Sequence, residues 1–307
     1  MATKLLDPTL DIVFKLLMVR KQELLRDMIE SVVTLPSPIC ELEIQNPQIP
    51  KDCPAAKGII LDIFVKLASG EQIDLEMQST VPPGTDARFL YYWAKAYCNS
   101  LGTGEDYTLL RPTISVLWFK ERFLTTTDRF HSVFRLLDVH ASAPMCDHLE
   151  IHVLELPKLN LANNERRAKL ERWARFLRAE TPEEFEELAA EDPIMSTARN
   201  ALEELSSDPV ALRLAQERET AVLIHRHLIN SSIKEGEVRG EARGEAKGKV
   251  EGKVEGLQSG VHRLCRIFGI DIDAARMAEL AGLDEQGLTA LLDTLETERS
   301  WPKSELR

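Results

Sequence analysis

The sequence lacks any apolar run of the roughly 18 residues needed to cross a bilayer, and its N-terminal residues contain no apolar stretch of signal-peptide length. It also lacks a Cys-x-x-Cys pair. Its five cysteines are scattered along the chain, so we expect reduced thiols rather than disulfides or zinc ligands. These absences predict a cytoplasmic protein without a membrane partner. With 44% hydrophobic and 29% charged residues, the 307-residue chain has the composition of a folded globular protein.

An excess of positive charge is missing as well. The chain carries 38 Lys and Arg against 50 Asp and Glu, which gives a net charge of −12. A protein that coats nucleic acid through its bulk charge needs a basic surface, so the composition argues against that mode of binding. A phosphate loop is also absent, because the repeated glycines after residue 235 follow no strand and lack a Gly-Lys-Ser/Thr ending. We therefore expect no nucleotide cofactor.

The sequence does contain carboxylates inside two apolar, β-rich runs. Asp62 interrupts the first run, and Glu76 lies in the second, Gln72–Gln78. Ser69 and Gly70 form a turn signal between them, so a hairpin should place residues near Asp62 opposite residues near Glu76. A buried carboxylate needs a compensating charge, and a divalent cation held by both side chains would provide it. The alternative is an acidic hairpin edge, which also deters aggregation.

Alternation along the second run divides its side chains between two faces of the strand. Asp74, Glu76 and Gln78 share one face, and the apolar residues between them share the other. We therefore expect one face to belong to the core and the other to carry a site. Asp74 either extends the acidic pair or faces solvent, and its position near the start of the strand favours solvent.

The order of the elements predicts an α/β unit followed by helices. Strand patterns at 113–119 and 149–156, together with a helical pattern at 86–101, indicate a mixed sheet flanked by helices. After residue 160 the composition changes to helix formers with few β-branched residues. We expect four segments: an α/β domain at 1–160, a helical region at 161–235, a polar connector or marginal helix at 236–260, and a small helical tail at 261–307.

Glycine recurs at every fourth position in residues 236–260, with Glu, Lys and Arg between. Each Gly weakens a helix by about 1 kcal/mol relative to Ala, and a well-oriented i,i+4 ion pair adds only roughly 0.2–0.5 kcal/mol. A polar linker or a marginal helix is therefore favoured. The alternative is that the glycines admit a second backbone, which would make the segment an assembly element of a homo-oligomer.

The ordered set of motifs resembles the PD-(D/E)XK nuclease family transposases, also called the recombination-promoting nuclease (Rpn) group. The matching fragments are DPTLDIVFK at 7–15, EIQNP at 43–47, the strand that contains Asp62, IDLEMQ at 73–78, YYW at 91–93 and GEDY at 104–107. The resemblance covers about residues 5–160 closely and the later helices more loosely. It implies a restriction-endonuclease-like α/β fold with a mixed sheet, followed by an all-α C-terminal region.

The resemblance also implies a metal-dependent DNA endonuclease associated with recombination or transposition. Such enzymes use Mg²⁺ or another divalent cation, and DNA is their partner. In the family's motif, the strand Asp and the Glu bind the metal together with a main-chain carbonyl, and the Lys positions or activates the attacking water. Carried over to this chain, Asp62 and Glu76 are ligands, the carbonyl of Met77 is a third, and Gln78 occupies the Lys position.

Gln78 departs from the motif, because an amide has no usable proton affinity near neutral pH and cannot replace Lys as a base or a charge. Lys66, four residues after Asp62 and hence on the same strand face, is a candidate for a relocated lysine. Asp11 resembles an acidic residue that many of these enzymes hold near the metal. Its alternative is an ordinary helix residue that pairs with Lys15.

Basic and aromatic residues follow the motif on the next helix. Arg88, Tyr91 and Lys95 offer phosphate contacts, against the alternative that they only solvate that helix. A rival function follows from Gln78 and the acidic balance: a catalytically inactive nuclease fold kept for DNA binding or assembly. The run from His148 to His152 puts several potential ligands on one strand face without a fourth group, so an ordinary polar strand is favoured there.

Overall fold

A computed structural model of the protein describes residues 5–45, 48–49, 59–60, 62–160 and 168–302. The chain divides into two compact units, Met1–Ile224 and His225–Arg307. Within the described ranges, no helix combines the length and the apolar character that crossing a bilayer requires. The four cysteines in these ranges are free thiols, as expected, and Cys53 lies outside them. The cytoplasmic location stays a prediction.

The first unit is built on a mixed β-sheet. Its described strands are β1 (Leu42–Gln45), β2 (Gln48–Ile49), β3 (Ile59–Ile60), β4 (Ile63–Leu67), β5 (Gln72–Gln78), β6 (Thr113–Phe119), β7 (His131–Arg135) and β8 (Leu149–Glu155). Six of them form one sheet in the order β1-β4-β5-β6-β8-β7, and β2 pairs with β3. The central pairs β5–β6 and β6–β8 are parallel, and the outer pairs are antiparallel. The predicted mixed sheet is therefore confirmed.

Helices flank the sheet and make up most of the described chain after it, which confirms the predicted all-α C-terminal region. The described helices are α1 (Asp11–Arg20), α2 (Gln22–Val32), α3 (Thr85–Cys98), α4 (Ala168–Arg178), α5 (Pro182–Glu191), α6 (Pro193–Ser207), α7 (Pro209–Phe268), α8 (Ala274–Gly282) and α9 (Glu285–Glu298).

Strand β5 is covered on both faces. On one face its apolar side chains join a large core with residues of α1, α2 and α4–α6; these side chains are Ile73, Leu75 and Met77. On the other face, α3 packs Phe89 edge-on against Phe119 of β6, with ring centroids 5.8 Å apart. Burying one such ring stabilises the fold by roughly 1.5–3 kcal/mol. The polar residues of β5 therefore lie beneath a helix rather than on an open surface.

Helices α4–α6 share the core of the first unit. Trp173 of α4 is fully buried in the same cluster as Phe14 and Leu25, and its indole N–H donates to Asp27 at 2.8 Å. An amphipathic helix such as α4 is stable only where its apolar face is buried, and α2 and α5 contribute to that surface. The boundary expected near residue 160 therefore lies inside one unit.

Residues 236–260 belong to α7, so of the two expected alternatives, a polar connector or a marginal helix, the described backbone has the helix. An added Cβ at any of the six glycines from Gly236 to Gly256 would meet no atom of the described chain within 4 Å, so no described backbone segment packs against them. The marginal-helix alternative agrees with this open surface. In the second unit, the end of α7 packs with α8 and α9 through an apolar cluster that includes Val261, Leu280 and Leu288.

A capping box starts helix α5. The Thr181 side chain accepts a hydrogen bond from the backbone N of Glu184 at 3.3 Å, and the Glu184 carboxylate accepts one from the backbone N of Thr181 at 3.1 Å. We expect Thr181→Ala to lower the free energy of unfolding of the first unit by about 1 kcal/mol. Urea unfolding followed by tryptophan fluorescence measures this, with Thr197→Ala on the exposed side of α6 as the matched control. Equal losses in both variants would contradict the role of the cap.

Candidate metal centre

The β4–β5 hairpin brings Asp62 to Glu76. The strands pair in the register Ile63↔Leu75, so the residue before β4 stands across from Glu76, as the sequence predicts. The turn contains Gly70 at φ 104°, a backbone conformation that glycine adopts without strain. Asp62 itself lies at a bend before β4 rather than in the middle of a strand, which corrects the expectation. From the bend, its Oδ2 accepts a hydrogen bond from the backbone N of Met77 at 3.2 Å.

Asp74 and Glu76 are buried on the same face of β5. Their exposed fractions are 1% and 3%. The expectation that Asp74 faces solvent is wrong, because β5 is an inner strand of the sheet and α3 packs over this face. Both carboxylate oxygens of Asp74 and Oε1 of Glu76 are buried without a hydrogen-bond partner among the residues that the structure describes. An ionised carboxylate in that position is costly, so these oxygens need either a proton or a cation.

Burial and mutual repulsion raise the pKa values of all three carboxyl groups. Burial raises the pKa of Asp62 to about 6, although the N–H of Met77 opposes the shift. Burial, followed by repulsion from Asp62, holds the pKa of Asp74 well above its ordinary value of 3.8. For Glu76, burial and then repulsion from Asp74 and Asp62 raise the pKa, and the positive charge of Arg88 opposes them. The three groups therefore form one electrostatic cluster, called here the carboxylate cluster.

Gln78 connects this cluster to helix α3. Its Nε2 donates to Oε2 of Glu76 at 2.9 Å, and its Oε1 accepts from Nη2 of Arg88 at 2.9 Å. The structure thus places Arg88 against Gln78. Of the other two predicted phosphate contacts, Tyr91 is 39% exposed and Lys95 lies half-buried one turn further along α3.

The sequence matches one protein-family model. The family model described as PD-(D/E)XK nuclease family transposase matches residues 8–232, which is well over half of the chain and includes the carboxylate cluster, Gln78 and Arg88. The chain belongs to this family. The resemblance inferred from the motifs is therefore confirmed. Neither a curated protein nor a solved structure matches the chain significantly.

Two other residues predicted for the PD-(D/E)XK site, Lys66 and Asp11, are not part of the carboxylate cluster. Lys66 is exposed and pairs across the hairpin with Gln72, about 13 Å along the strand from Asp62 at roughly 3.3 Å per residue. The structure does not bring it to the carboxylate cluster. Asp11 lies close enough to Asp62 to raise the pKa of that group, but its Oδ1 accepts from Nε of Arg218 at 2.7 Å.

Sequence reasoning missed Arg218 as a neighbour of this site. Arg218 belongs to α7, and 207 positions separate it from Asp11, so no local pattern could have indicated the pair. Its positive charge and that of Lys15 both act on Asp62, lowering the pKa of that group against the larger effect of burial. Asp11 forms its ion pair with Arg218 rather than the alternative pair predicted with Lys15.

A second polar cluster lies on β7 and β8. His152 is buried between Glu150, 2.6 Å from its Nε2, and His131, 2.8 Å from its Nδ1. The hydrogen bond from His152, together with those from Arg135, lowers the pKa of Glu150 to about 2 against the effect of burial. These contacts satisfy one another, so the expectation of an ordinary polar strand agrees with the geometry.

The donors of the carboxylate cluster fit a hard divalent cation. In the described parts of the chain, no three His, Cys, Asp or Glu side chains already form a ready metal-binding group. The cluster nevertheless offers only oxygen atoms and negative charge, and three of its oxygens accept no hydrogen bond from any described residue. Mg²⁺ and Ca²⁺ prefer carboxylate and carbonyl oxygens, whereas zinc and copper favour nitrogen and sulfur. The residues present therefore fit a Mg²⁺-type ion.

Proposed function

We propose that this PD-(D/E)XK family protein is a Mg²⁺-dependent DNA endonuclease that hydrolyses phosphodiester bonds during recombination or transposition. The observation that carries the proposal is the carboxylate cluster, in which three buried oxygens, both of Asp74 and Oε1 of Glu76, have no hydrogen-bond partner among the described residues. A structural polar network is normally satisfied by its own members. An unsatisfied one, at the positions of the family's motif, is typical of a site that is completed by a ligand.

Asp62 and Glu76 would hold the cation, with the carbonyl of Met77 as a third ligand and Asp74 as a further carboxylate. A bound divalent cation stabilises negative charge on a phosphate and lowers the pKa of bound water. Asp11, which acts electrostatically on Asp62, would bind the cation only after release from Arg218.

The surroundings of the cluster support the same reaction. Phe89 and Phe119 cover the α3 side of the sheet, which limits the access of bulk water and strengthens electrostatic interactions inside. Gln78 holds one oxygen of Glu76 in place. Tyr91 and Lys95, on the helix that carries Arg88, are the proposed contacts to DNA phosphates.

Nicking of supercoiled plasmid DNA tests the proposal. We expect the purified full-length protein to convert the plasmid to the relaxed form in the presence of Mg²⁺ or Mn²⁺ and to leave it intact with EDTA. Ca²⁺ should bind without supporting the reaction at a comparable rate. A protein that binds Mn²⁺ but leaves DNA intact under all of these conditions would disprove the endonuclease.

A second candidate function is DNA binding without cleavage. Gln78 favours it, because an amide carries no charge at the position where the motif has Lys. The same plasmid distinguishes the candidates. A stable complex in a gel-shift experiment, without nicking at any Mg²⁺ concentration, would favour binding alone.

A further inference from the structure

Gln78 lies between an acidic and a basic side chain, and both ends of its amide are occupied. Its Nε2 is 2.9 Å from Oε2 of Glu76, and its Oε1 is 2.9 Å from Nη2 of Arg88. The residue at the motif's Lys position is therefore one link in a chain of three side chains.

The chemistry of the two neighbours fixes which way the amide points. Arginine offers only N–H donors, and an ionised carboxylate only accepts. The oxygen of the Gln78 amide must therefore face Arg88, and its NH₂ group must face Glu76. One N–H is used by Glu76, and an amide NH₂ group has a second N–H to donate. Gln78 can therefore offer a donor next to the Glu76 carboxylate.

Arg88 is held in place independently of Gln78. It lies in the first turn of α3, where its backbone N donates to the carbonyl of Gly84 at 3.0 Å. Its guanidinium carbon stands 4.8 Å from the centroid of the Phe89 ring and 6.0 Å from that of Tyr92. Such cation–π contacts restrain an arginine, and the Phe89 ring is itself 3% exposed. The guanidinium is therefore positioned in advance against the amide oxygen.

We propose that Arg88 is a positioning residue of the nuclease site, which acts through Gln78 and replaces the positive charge of the motif's Lys. Arg88 locks the Gln78 amide with its N–H toward the site and polarises it, so that this N–H donates to a non-bridging oxygen of the scissile phosphate. This inference rests on the proposed endonuclease function. Arg88 would then supply next to Gln78 the positive charge that the motif's Lys carries.

Single-turnover plasmid nicking by the full-length protein tests this role with three variants. Arg88→Met should lower the rate about 10²-fold, the usual effect of losing one preorganised donor, while Mn²⁺ affinity stays within about threefold or becomes tighter. Adding Gln78→Lys to Arg88→Met should restore at least about tenfold of the loss, because the charge then stands at the motif position itself. Arg111→Met, the matched control for losing one arginine, should nick like the wild type.

The outcomes separate this inference from the proposed function. If the wild-type protein does not nick DNA, the endonuclease proposal fails and the role of Arg88 falls with it. If the wild type nicks and Arg88→Met nicks equally well, only the role of Arg88 is overturned. If Arg88→Met loses Mn²⁺ binding as well and Gln78→Lys restores nothing, Arg88 is a structural support of the cluster, and the inference is again wrong.

Discussion

Glu76→Gln should reduce Mg²⁺-dependent nicking by roughly 10³-fold or more, because a ligated cation contributes several kcal/mol to the transition state and each 1.36 kcal/mol is a factor of ten in rate. Asp62→Asn should have an effect of the same size. Both replacements keep the shape of the side chain and remove its charge. Single-turnover nicking gives the rates, and calorimetric titration with Mn²⁺ shows whether the loss follows metal binding.

Two controls distinguish loss of the metal site from loss of folding. Glu71→Gln lies in the turn of the same hairpin, away from the carboxylate cluster, and should nick like the wild type. Without added metal, Glu76→Gln should be at least as stable as the wild type, because it removes a buried charge that has no cation. Full activity in both Asp62→Asn and Glu76→Gln would remove the cluster from the reaction.

The metal-free protein should lose stability as the pH rises from about 4 to about 7, and Mg²⁺ should restore it. The pKa of Asp62 is raised from 3.8 to about 6 in the folded state, so the folded state binds more protons than the unfolded state between these values. The free energy of unfolding therefore falls through this window. Asp62 alone accounts for about 3 kcal/mol of that loss, and Asp74 and Glu76 act in the same direction.

Urea unfolding at several pH values, with and without Mg²⁺, measures this behaviour. Stabilisation by Mg²⁺ should be small near pH 5, where protons already neutralise the cluster, and large near pH 8, because ligands must be deprotonated to bind metal. Asp62→Asn is the matched variant, and its stability should depend less on pH than that of the wild type. Stability that rises with pH across this window in the metal-free protein would contradict the prediction.

Local patterns were sufficient to predict the hairpin and its two faces. A turn signal at Ser69 and Gly70 and the period-two alternation of β5 depend only on neighbouring residues, and both agree with the register of the strands. The position of Asp62 across from Glu76 followed from the same information.

Features that depend on distant residues were not predictable in this way. The burial of Asp74 depends on α3 covering the sheet, which the strand's own pattern does not encode. The pair between Asp11 and Arg218 joins residues 207 positions apart. The boundary expected near residue 160 stays a prediction, because composition changes where α4 begins while the core of the first unit continues through Trp173.

The hydrogen bond between Gln78 and Arg88 was only partly predictable from the sequence. The two residues are only 10 positions apart, and both were singled out from the sequence, but for separate roles. The Pro-rich connection between β5 and α3 decides how the first turn of the helix faces the end of the strand, and residue types alone do not fix that angle.

The alternation of side chains along β5 imposes a rule of parity on that strand. Inserting or deleting one residue within β5 before Asp74 would rotate the rest of the strand by half a turn, so that the acids would enter the apolar core and Leu75 would replace them beneath α3. A change of two residues would preserve the faces. The turn at Gly70 can vary in length without this effect, because hairpin loops of about two to five residues all occur.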